Sequence, residues 1–101
     1  MSEDDDFYFR IQEEAIDEIL KELPYMKMAF HNPNFDLQQS VQNSADFFLG
    51  AIFGEIIDRT SCKFLVRNVL KPSESQMDKL NYRLFTRAPE FRKKIIEIVG
   101  I

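Results

Sequence analysis

The chain has 101 residues, 45 % of them hydrophobic and 30 % charged, with a net charge of −4 at pH 7. That length supports one domain, residues 1–101, and the balance is that of a folded chain rather than a disordered one. One cysteine and one histidine exclude an intrachain disulfide and a Cys/His zinc site, so Cys62 reads as a small packed hydrophobe in a reducing compartment.

Residues 1–6, MSEDDD, are acidic where a secretory leader is basic, and are expected to form a mobile acidic tip. The first helix is expected over residues 7–23, with Phe9, Ile16, Ile19, Leu20 and Leu23 on one face, Ile11 and Ala15 beside it, and Glu13, Glu14, Asp17 and Glu18 opposite. Pro24 ends it or opens a short turn over residues 25–30, and Asn32-Pro33-Asn34 is a loop signal. Asp36 with Gln39 reads as a capping box that opens a long central helix, running to about Asp58 and on to Leu70, unbroken or kinked at Thr60-Ser61. After Pro72, a second capping box, Ser73 with Gln76, opens a helix to about Thr86. Pro89 and Glu90 suit the first turn of a last helix, and Gly100 its end. Three glycines and four prolines, with no alternating apolar segment, complete the case for an all-α bundle of four to five helices around that central helix.

The most apolar stretch, ADFFLGAIFGEIID at residues 45–58, lies in the central helix. Its uninterrupted apolar run, 47–53, falls far short of the ~20 residues a bilayer needs, so no membrane span is expected and the chain is assigned to the cytoplasm. Apolar nearly all round, this segment reads as a helix enclosed on every side. Gly50 and Gly54 stack one turn apart beside Ile57 and each costs ~1 kcal/mol against alanine, so they read as a close helix contact, with a homodimer mate or with a bulky ring of the same chain.

Charge is segregated. Residues 1–58 hold 13 acids and 3 bases, and residues 59–101 hold 4 acids and 10 bases. The bases recur every four residues: Arg59, Lys63, Arg67 and Lys71, then Lys79, Arg83 and Arg87. Such stripes can grip phosphates, with Asn81 or Tyr82 adding contacts to a base or sugar, or can dock on the acidic half of the chain.

Glu55 and Asp58, three apart on a helix, can share a divalent metal, and Glu14 with Asp17 or Glu18 could complete a carboxylate cage. In this the chain resembles the all-α nucleotide pyrophosphohydrolases, which carry a carboxylate pair on one helix and Glu-x-x-Asp on the next. The resemblance implies Mg²⁺-dependent hydrolysis, although Glu14 is followed three residues on by Asp17, and Glu18 by Lys21, where that family has Glu-x-x-Glu. The alternative for Glu55 is an ion pair with Arg59 one turn on. His31 reads as a loop histidine, and no glycine-rich phosphate loop occurs. The sequence therefore points first to a non-enzymatic, cofactor-free, homodimeric protein-interaction module with an unidentified protein partner. Nucleic-acid binding comes second and the hydrolase third.

Overall fold

Five α-helices and no strand form among the residues that this computed structural model describes, namely 3–32, 34, 42–67 and 71–101. Helix α1 is Glu3–Lys21. It begins four residues ahead of the expected start, because aspartates are favoured beside the exposed N–H groups of a helix N-terminus. Residues 3–6, expected as a mobile tip, are its first turn, and Asp5 is buried there. Helix α2 is Leu23–Phe30, a helix where a turn was expected. Pro24 lies in its first turn, where a missing N–H forfeits no intrahelical bond.

The central helix α3 is Ser44–Val66, capped by Asn43, whose side-chain oxygen accepts the Asp46 N–H at 3.0 Å. It runs unbroken through Thr60-Ser61, and the Thr60 hydroxyl donates back to the Ile56 carbonyl at 2.6 Å. The helix is shorter than expected, starting seven residues after Leu37 and ending four before Leu70, because Asn43 is extended and Arg67 caps the end; the Asp36–Gln39 capping box itself lies outside the described residues. Helix α4 is Glu74–Phe85 and carries the expected capping box, with Ser73 Oγ accepting the Gln76 N–H at 3.1 Å and Gln76 Oε1 accepting the Ser73 N–H at 2.8 Å. Helix α5, Ala88–Ile95, passes into a π-helical turn, Ile96–Gly100, that ends at Gly100 with φ +79°, a left-handed conformation glycine adopts without strain.

Burial follows the four-residue spacing of α3: Phe48, Ile52, Ile56, Thr60 and Phe64 all face inward. The molecule measures 46 × 26 × 19 Å, and its core divides along the long axis. The larger cluster joins Ala15, Ile16 and Ile19 of α1, Leu23 and Phe30 of α2, the first three inward residues of α3, Leu84 of α4, and Phe91, Ile95 and Val99. The smaller cluster gathers Tyr8, Phe9 and Ile11 of α1 with Phe64 and Leu80.

Three expectations are corrected. The central helix is not enclosed on every side, since Phe47, Gly50, Ala51, Gly54, Glu55 and Asp58 are exposed. Its apolar residues exceed what one chain of this size can cover. Ile57, expected in the contact with Gly50 and Gly54, is half-buried against the larger cluster of its own chain. Cys62 is exposed, because it lies on the same outer side of α3. No helix among the described residues is long and apolar enough to cross a membrane.

Candidate interaction surfaces

Among the described residues, no element covers the outer side of α3 at Gly50 and Gly54. A Cβ built on Gly50 or on Gly54 meets no atom within 4 Å, so neither glycine makes room for a ring of the same molecule. Phe47, 43 % exposed, stands at one end of this side, and Leu65, 78 % exposed, at the other.

The basic stripes have partners. On α3, Arg59 grips Glu22 through both guanidinium nitrogens at 2.8 and 3.2 Å, Lys63 reaches Glu18 at 2.8 Å, and Arg67 pairs with Glu14. Each step of four residues up α1 is thus matched by a step of four down α3, as antiparallel helices require. On the other edge of α1, Lys79 meets Asp5 at 2.9 Å, while Arg83 and Arg87 share Glu13 at 3.3 and 2.9 Å. Arg83 also lies 4.1 Å above the Phe9 ring. Six of the seven bases nominated for phosphate therefore hold carboxylates of α1 or, for Arg59, that of Glu22 just after it. Lys71, the seventh, is exposed ahead of α4. The acidic half and the basic half dock on each other within one chain. The sequence contained the signal, acids at 14, 18 and 22 and bases at 59, 63 and 67 at one common spacing.

These pairs move the protonation equilibria in matched directions. The hydrogen bond from Arg67, with the charges of Arg67 and Lys63, holds the Glu14 carboxyl below the ordinary glutamate range, and Arg87 does the same to Glu90. Their partners shift upward, Arg67 through Glu14 and Arg87 through Glu90. A carboxyl whose folded pKa is depressed contributes stability that is complete above its unfolded value and drains as the pH falls through the folded value. The melting temperature is thus expected to be level near pH 7 and to fall below about pH 4.5. Glu14→Gln should lower it slightly at neutral pH and make the acid fall shallower, which a series of thermal melts would show. An unchanged acid limb in that variant would mean that the Arg67 pair is not populated in solution.

The four acids considered for a metal are not brought together. Glu14 and Glu18 face the bases of α3, whereas Glu55 and Asp58 stand on its outer side, and no group of three metal-ligating side chains occurs among the described residues. Arg59 turns to Glu22 and not to Glu55. The His31 Nε2–H donates to the Val99 carbonyl at 2.9 Å, tying the end of α2 to the π-helical turn, a structural role that its loop setting did not reveal. Compared with family models, with curated proteins and with solved structures, the chain finds no match in any of the three.

Proposed function

We propose that the chain is a non-enzymatic protein-interaction module that works as a homodimer, the outer side of α3 meeting its counterpart on a second copy. The observation that carries this reading is the pair Gly50 and Gly54, in the interior of a 23-residue helix, where a Cβ at either would meet nothing within 4 Å among the described residues. Each glycine costs the helix ~1 kcal/mol, a cost that nothing inside the chain offsets. Phe47, Ala51, Gly54, Asp58, Ser61 and Leu65 alternate by four and three residues, the stripe along which two helices pack. Its bulky members stand at the ends, so an antiparallel copy sets Phe47 of each chain beside Leu65 of the other. Nucleic acid, the second reading of the sequence, has to displace the carboxylates that six of its seven bases already hold.

Gly54→Leu separates a contact between chains from one within the chain. The space its Cβ would take is empty among the described residues, so the stability of the single chain is expected to hold or rise, since leucine is the better helix former. Sedimentation equilibrium should give about twice the 11.9 kDa chain mass for the wild type and the single mass for the variant. A wild type that stays at the single mass at about 100 μM would sink the proposal, because a dimer with a micromolar Kd would be well populated there.

A further inference from the structure

The division of the core is made by polar residues. On α1, Gln12 falls between Ile11 of the smaller cluster and Ala15 of the larger, and is itself 3 % exposed. On α3, Thr60 falls between Ile56 of the larger cluster and Phe64 of the smaller, and is 6 % exposed. Gln12 Nε2 donates to the Leu80 carbonyl at 2.8 Å, which extends the layer to α4. The layer is imperfectly satisfied. Gln12 Oε1 and Arg83 Nε are shut off from solvent and have no hydrogen-bond partner among the described residues, and both sit where α1 meets α4. Two open depressions, of about 540 and 460 Å³, flank Arg83 at this junction, and Phe9 lines both.

We propose that the end of the molecule beyond this polar layer, residues 5–12 of α1, residues 74–80 of α4 and the last turn of α3, opens as one unit while the larger core stays closed. The physical grounds are cooperativity and its interruption. Apolar side chains in continuous contact melt together, whereas a polar layer with unpaired groups breaks that continuity and lowers the cost of separating the two sides. Among the described residues, five buried apolar side chains form the small cluster, against twelve in the larger one. Opening separates Asp5 from Lys79 and uncovers Tyr8 and Phe9, so the free end presents aromatic rings beside cations that are otherwise held by α1. The polar layer that makes the division lies on the buried side of α3, away from the stripe that would meet a second copy, although the last turn of α3 also carries Leu65 of that stripe.

Native-state hydrogen exchange on the full chain tests it. Amides of residues 8–12, 64 and 77–80 should share one opening constant, at least about tenfold larger than that of residues 16–19, 52–56 and 91–95. The change should come as a step at residues 12 and 60. Raising the salt from about 50 to 500 mM should speed the first group more than the second, because screening weakens the Asp5–Lys79 pair. Gln12→Met, which fills the same volume and removes the unpaired acceptor, should erase the step by joining the two clusters, and Thr60→Val should reduce it. A smooth gradient of protection towards the helix ends, or one opening constant for both groups, would overturn the proposal. So would a step that survives in both variants.

Discussion

Phe91→Ala is expected to lower the folding free energy by about 3–5 kcal/mol, the largest loss from any single truncation in the chain. Its ring is fully buried in the larger cluster, where α5 meets α3. Phe53 approaches it edge-on with centroids 5.9 Å apart, and the Arg87 guanidinium lies 5.0 Å above it. Removing the ring leaves a cavity that the surrounding helices would have to collapse into, and it takes away the seat of an arginine that anchors Glu13. A domain of this size has a total stability of roughly 5–15 kcal/mol, so the variant should retain little of its native population at 37 °C. Urea unfolding of wild type and variant gives the difference directly, provided the slope of free energy against urea is unchanged. Phe47→Ala is the matched control. That ring is 43 % exposed on the outer side of α3, and its loss should change monomer stability by less than about 0.5 kcal/mol. A loss below about 1 kcal/mol for Phe91 would mean that α5 is not docked on the core.

The contrast between these two phenylalanines marks what could be read from the sequence. Local signals were legible wherever one short pattern determines one local geometry: Ser73 with Gln76 for the start of α4, Pro89 in the first turn of α5, Gly100 at the end of the chain's last turn. The apolar spacing of α1 likewise named its buried face, because a helix with one polar and one apolar side can be placed in only one way. The central helix was not legible in that way. Phe47, Gly50, Ala51 and Gly54 are as apolar as Phe48, Ile52 and Ile56, and hydropathy does not say which side the rest of the chain will cover. Gln12 gave no signal either, since a glutamine among apolar residues is read as part of a polar face until the neighbour that shuts it off is known. The ion pairs were half legible. Matched spacing was present, but direction and distance across helices come only with the fold.

Lys63→Glu should cost about 2 kcal/mol, more than an exposed ion pair is usually worth, because of where the lysine lies. Its side chain is only 18 % exposed, and its ammonium sits 2.8 Å from Glu18 and 3.8 Å from Glu14. The substitution removes that bridge and brings a third carboxylate against the other two, in a groove where water screens them less than at an open surface. Because Glu14 and Glu18 are themselves nearly half exposed, the penalty stays well below the 3–5 kcal/mol of a fully buried broken pair. Restoring the pair in reverse, with Lys63→Glu and Glu18→Lys together, should recover at least half of the loss, and the non-additivity of this double-mutant cycle measures the coupling itself. The deficit of the single variant should also shrink as salt is raised from about 50 to 500 mM. Additive losses in the cycle, with no recovery and no salt response, would show that Lys63 and Glu18 do not hold each other in solution. The bases of α3 would then be available to an external anion, and the phosphate-binding reading of the stripe would regain the ground that the Glu14, Glu18 and Glu22 pairs take from it.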